Sequence, residues 1–205
     1  MFINKITSRR YITYVDFYDA DINPCTYGNK NAKKTAVIMG DSFSAQWFHA
    51  IEKIHESDEW KIVVFTKSAC AMVDEPYFSL RLMREFTECA SWRNQVIEWI
   101  QKNPAQRLFI GSAWYEFSPE QRTQGTLRIL DRVVPYANDI YIFEPIPRLP
   151  FGPECIQQRD PEQCYTKFDN QAQAVVVDAL KQAIAQHNNV HWLNTVDFVC
   201  PKEMC

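Results

Sequence analysis

At 205 residues and 24.1 kDa the chain is long enough for one domain with a substantial core and too short for two comfortable ones. Its 46% hydrophobic and 23% charged residues exclude a disordered or fibrous chain. A net charge of -3 gives no basic field for gathering nucleic acid, and no run of about 18 apolar residues is present to span a membrane.

Residues 1–31 form a polar lead with scattered aromatics, charged where a signal peptide needs an apolar stretch, and read as a linker ahead of a domain over 32–205. Residues 35–39 (TAVIM) are a short apolar run rich in β-branched side chains, the pattern of a strand buried on both faces. From Ser44, Trp47, Phe48, Ile51 and Ile54 recur at helical spacing. Residues 61–66 (KIVVFT) read as a second strand, and residues 91–103 as a helix with Trp92, Val96, Trp99 and Ile100 on one face. A third strand is expected over 106–112 (QRLFIGS). Ser118 and Pro119 then open a helix running to about Tyr136, with serine at the cap and proline in the first turn. Residues 139–143 (DIYIF) give a fourth strand, and a proline-rich loop over 145–168 follows, too long for a plain connector. The last helix spans 170–187 with Ala174, Val177, Leu180 and Ile184 inward, and residues 190–194 make the fifth strand. Strands alternating with helices predict an α/β fold, a three-layer α/β/α sandwich around a mainly parallel five-stranded sheet.

Seven cysteines are present, six of them in pairs at short separations: Cys70 with Cys89, Cys155 with Cys164, and Cys200 with Cys205. Most fall in expected loops, so the pattern reads as three local disulfides rather than buried thiols, with Cys25 left over. Zinc is disfavoured, since there is no C-x-x-C and His49, His55, His187 and His191 show no ligand spacing with the cysteines. No metal or other cofactor is expected.

In open α/β sheets the ligand site lies at the carboxyl ends of the strands, and the first core strand ends in Gly40-Asp41-Ser42. Gly40 permits a tight turn, Asp41 suits anchoring it by accepting N–H bonds, and Ser42 is placed as a nucleophile beside free backbone donors. The competing reading makes Ser42 or Ser44 a plain helix cap.

The stretch KTAVIMGDSFSAQW resembles the first conserved block of the SGNH/GDSL hydrolases, which have a flavodoxin-like sandwich. The similarity is closest to the periplasmic SGNH domain fused behind the membrane domain of acyltransferase-3 proteins. It covers roughly Cys25 to Cys205 and continues through TKSAC, ECASWR, LFIGSAW, IPRLPFGPEC and the terminal VDFVC with its following cysteine, in that order.

The resemblance implies an O-acyltransferase or esterase of bacterial surface polysaccharides. Ser42 would form an acyl-enzyme, with oxyanion donors at the N–H of Ser42 and at Ser68 or Ala69. Ser112 to Trp114 occupy the third block, where many relatives carry an asparagine that is missing here. The implied partners are a carbohydrate acceptor, an acyl donor and a membrane acyltransferase domain in the full-length protein, and the implied location is periplasmic. Relatives also place Asp-x-x-His after the last strand. Here Asp197 is followed by Phe198, Val199 and Cys200, and no histidine lies beyond His191, so the C-terminus is expected to be incomplete. The alternative is a non-catalytic glycan-binding or scaffolding module. In either reading Trp47, Trp114 and Tyr115 are candidate surfaces for sugar rings, set against ordinary core packing.

Overall fold

In the computed structural model, which describes residues 15–146, 153–158, 160–165 and 170–204, the apolar runs pair into the middle of one six-stranded sheet. In chain order the elements begin with β1 (Cys25–Gly28), β2 (Lys34–Gly40), α1 (Ser42–Ala45), α2 (Phe48–Ile54) and β3 (Trp60–Thr66). A small hairpin of β4 (Phe78–Ser79) and β5 (Arg84–Glu85) precedes α3 (Thr87–Lys102) and β6 (Ala105–Gly111). Next come α4 (Pro119–Val133), β7 (Ala137–Phe143), α5 (Pro153–Gln158), α6 (Asn170–Ile184), β8 (Val190–Leu193) and α7 (Val196–Val199).

The strand order is β1-β3-β2-β6-β7-β8. The five expected strands are all parallel, and β1 pairs antiparallel to β3 at the edge. This sixth strand, CTYG, comes from the lead; half-exposed and polar, it lacks the apolar run that marks the others. The chain leaves β2 toward β3 on one side and returns to β6 on the other. The C-terminal ends of β2 and β6 therefore form the topological switch point, where open α/β sheets leave a crevice for ligands.

Alternation along the strands divides the core in two. On one face Val37, Met39, Val63, Phe65, Leu108, Ile110, Ile140 and Ile142 pack with Trp92, Val96, Ile97 and Ile100 of α3, Leu127 and Leu130 of α4, and Ala183 and Ile184 of α6. On the other, Ala36, Ile38, Ile62, Val64, Phe109 and Phe143 meet Phe48 and Ile51 of α2.

Three elements differ from expectation. The helix after Ser42 is broken in two: the Ser44 hydroxyl ties α1 to Met39 O and Gly111 O, while α2 is re-aimed so that Phe48 and Ile51 are buried and Ile54 is 65% exposed. On α6 the buried stripe is Gln173, Val176, Ala179, Leu180, Ala183 and Ile184, leaving Ala174 exposed and Val177 half-buried. Small residues at 179 and 183 let α6 approach α4 closely, and Thr123 Oγ1 donates to Ala179 O at 3.1 Å. α3 begins at Thr87, a turn earlier than read. α4 opens as its sequence suggests, with a reciprocal capping box between Ser118 and Gln121.

The disulfides Cys70–Cys89 and Cys155–Cys164 are formed. Cys200 is disulfide-bonded as well, and Cys205, its expected partner, lies outside the described residues. No described helix is long and apolar enough to cross a membrane.

Candidate active site

The crevice is floored by two glycines in register, Gly40 at the end of β2 and Gly111 at the end of β6. A Cβ on Gly40 would lie 2.1 Å from Gly111 O and 2.3 Å from Ser44 Oγ; one on Gly111 would lie 2.7 Å from the same hydroxyl. Ser44, fully buried, fills the space both glycines leave and donates toward the two strand ends. Its role was not read from the sequence, although a second serine two places after Ser42 was visible there.

Asp41, not Ser42 or Ser44, is the N-cap of α1. One carboxylate oxygen accepts from Phe43 N at 2.9 Å; the other accepts from Ala113 N at 2.8 Å and from the Tyr115 hydroxyl at 2.6 Å. Burial pushes the Asp41 carboxyl above its usual range, and these donors, Tyr115 foremost, pull it back. Burial and then the Asp41 charge push the Tyr115 phenol up, so it remains a donor. With Asp41 holding the turn, Ser42 is exposed, and no described residue takes a hydrogen bond from its hydroxyl or its N–H.

The loop after β3 runs beside this turn, since Lys67 N donates to Gly40 O at 3.0 Å. Lys67 is completely buried, and its ammonium donates to the backbone carbonyls of Asp16 and, at 2.6 Å, Asp19, so it fastens the lead to the loop. Val15 completes the join: its N–H donates to Thr66 O and its carbonyl accepts from Ser68 N at 3.4 Å. Of the two expected donors, Ser68 N–H is thus engaged, whereas no described acceptor takes the N–H of Ala69. Ala69 sits in the left-handed region at φ 52, followed directly by the Cys70–Cys89 disulfide. Arg93, from the ECASWR motif, secures the rest of the loop through Ala71 O at 3.0 Å and Asp74 Oδ1 at 2.9 Å.

On the β6 side, Ser112 Oγ accepts from Met72 N, and Trp114 and Tyr115 line a cavity of about 450 Å³ with Phe117, Arg122 and Val176. Tyr115 is 9% exposed, so part of its ring faces the cavity while its hydroxyl is committed to Asp41. Trp47 stacks on Phe143 at 5.8 Å and serves packing.

None of the four histidines bonds Ser42. His55 is buried among Trp60, Phe109 and Ile51 O, with Arg107 3.1 Å from Nε2. His49 is exposed beside Glu52, and His187 faces Asp131. His191 pairs with Asp139 at 3.0 Å on β8, three strand intervals from β2, which is roughly 14 Å sideways at the usual strand spacing.

No curated protein matches the sequence. Among solved structures, the periplasmic domain of a lipopolysaccharide acetyltransferase from Salmonella ser. Paratyphi A is similar in fold. Its TM-score is 0.61 at 14% identity, over 86% of this chain and 71% of that one. The model of the SGNH domain found fused to AT3 domains matches residues 11–205, and with its strand order and switch-point turn the chain belongs to that family.

Proposed function

We propose that this domain transfers an acyl group, acetyl by preference, to a bacterial surface carbohydrate, or hydrolyses such an ester, through an acyl-enzyme on Ser42. The observation that carries the reading is the division of labour in the turn: Asp41 does the capping and anchoring, which leaves the neighbouring hydroxyl exposed and bonded to no described residue at the switch point. Ser42 Oγ attacks the acyl carbonyl and gives its proton to a base; the tetrahedral oxyanion is held by the N–H groups of Ser42 and Ala69; the leaving group departs with a proton. A sugar hydroxyl, or water in its absence, then takes the acyl group from Ser42. Family membership supports a membrane acyltransferase domain as the donor's source and a periplasmic setting.

A serine hydroxyl needs a base at neutral pH, and since none of the four histidines serves Ser42, the reading requires a histidine from outside these 205 residues. That same observation favours a second reading, a glycan-binding module without catalysis. Hydrolysis of a chromogenic acetyl ester by the full-length gene product separates them. Ser42→Ala is expected to lower the rate by about a thousandfold or more. A wild-type rate no greater than that of Ser42→Ala would sink the catalytic reading.

A further inference from the structure

Two arginines of this fold are buried to the same degree and treated differently. Arg93, 2% exposed, has Asp74 as its counterion at 2.9 Å and Ala71 O as a second acceptor. Arg122, 3% exposed in the first turn of α4, has no carboxylate partner among the described residues. Its one hydrogen bond among the described residues runs from a terminal nitrogen to Tyr115 O at 2.5 Å, and its guanidinium lies 5.8 Å from the Phe117 ring centroid. Burial pushes its pKa down to about 10, and no charge among the described residues offsets the loss of water. A charge taken out of water without a partner is costly, and five fixed N–H donors are far from satisfied by one carbonyl.

The unmet donors border space. Arg122 lines the cavity of about 450 Å³ between the Trp114–Phe117 segment and α6. It also lines a second cavity of about 30 Å³ with Ser112 and Thr126, whose buried hydroxyl has no hydrogen-bond partner among the described residues. The small cavity has room for about one water, which meets hydrogen bonds but not charge. The large one has aromatic walls in Trp114, Tyr115 and Phe117, and volume for a sugar ring. Glu116, on its rim, is exposed and makes no ion pair with Arg122. Tyr115 joins the cavity to the nucleophile turn: its carbonyl accepts from Arg122 and its hydroxyl donates to Asp41.

We propose that Arg122 anchors the carboxylate of an acidic sugar unit, bound in the cavity between the segment after β6 and α6, and so selects an anionic glycan. The planar guanidinium fork matches a carboxylate in two parallel bonds, and the aromatic walls suit the face of the ring. The inference rests on the carbohydrate reading above for the kind of ligand, and on Arg122 and the cavity for its charge.

The test is titration of the full chain, in a Ser42→Ala background, with sodium glucuronate, glucose and inorganic phosphate, followed by calorimetry or by tryptophan fluorescence. Glucuronate is expected to bind saturably and at least tenfold more tightly than glucose, and Arg122→Met to bring it down to the glucose level. Arg122→Lys keeps a charge without the fork, and is expected to bind at least fivefold more weakly than the arginine form. Equal binding of glucuronate and glucose, or glucuronate binding unchanged in either variant, overturns the proposal. Tighter binding of phosphate than of glucuronate overturns the carboxylate assignment. Because the background already lacks the Ser42 hydroxyl, failure of the nucleophile assignment would appear in the ester assay and leave this titration unaffected.

Discussion

Tyr115→Phe isolates the hydrogen bond that holds the nucleophile turn. The ring stays, so no cavity opens; what is lost is one O–H donor, 2.6 Å from a carboxylate oxygen of a fully buried aspartate. A hydrogen bond to a charged group is worth about 1.5–3 kcal/mol. For a chain of 205 residues, at about 2–4 °C per kcal/mol, the melting temperature should fall by about 4–8 °C at neutral pH. The loss should depend on pH. The folded-state pKa of Asp41 is raised by burial, so between the ordinary carboxylate value and the raised one the folded state holds a proton that the unfolded chain has released. Stability therefore falls as pH climbs through that window and is level above it. Removing Tyr115 removes the strongest of the bonds that pull the pKa back, so the window widens upward and the penalty is largest when Asp41 is ionised. Once Asp41 is protonated in both proteins, only a neutral hydrogen bond of about 1 kcal/mol is missing. Calorimetric melts of both proteins, stepped from pH 7.5 down to the acid limit of folding, measure this. A loss under about 0.5 kcal/mol at neutral pH, or one that stays constant as pH falls, would refute the reasoning.

Two more outcomes follow from the same region. Replacing Cys70 and Cys89 together by alanine opens a loop of sequence separation 19, and the chain-entropy relation gives a loss of about 3 kcal/mol, read as a lower urea midpoint. A midpoint unchanged from the oxidised protein would mean that the loop is held by Arg93 and Lys67 alone. Gly40→Ala drives a Cβ against backbone at 2.1 Å, whereas Gly111→Ala meets side-chain atoms of Ser44 and Phe143 at 2.7 and 2.8 Å. Both should destabilise, the first by more than about 3 kcal/mol and the second by less, since side chains can give way; circular dichroism melts rank them, and the reverse order would contradict the packing described.

The inner strands β2, β3, β6 and β7 were legible because continuous apolar runs have no other stable home, and β8, at the far edge, was legible through Val190, Trp192 and Leu193. β1 was missed because an edge strand of four half-exposed residues needs only main-chain partners, which leave no mark in side-chain pattern. The α6 stripe was read one position late in its first turns, on Ala174 and Val177 in place of Gln173 and Val176, while Leu180 and Ile184 are buried as read; the small alanines at 179 and 183, which set the approach to α4, carry no such large apolar signal. At the site, the position of Gly40-Asp41-Ser42 between strand and helix was readable from local order. The groups that occupy Asp41 come from Ala113 and Tyr115, 72 and 74 positions away, and no local signal names them. Arg122 was not singled out in the sequence; that no described carboxylate pairs with it is a property of what surrounds it and is invisible until the chain is folded.

The fastening of the lead by Lys67 has a mechanical side. Residues 15–19 grip the chain at Thr66, Lys67 and Ser68, immediately before Ala69, rather than at the rigid middle of the sheet. A pull or shift applied to residues 15–19 is therefore delivered to the loop that carries the Ala69 N–H, and through the Lys67 N–H to the carbonyl of Gly40. The lead is thereby coupled both to the Ala69 donor and to the turn that carries Ser42.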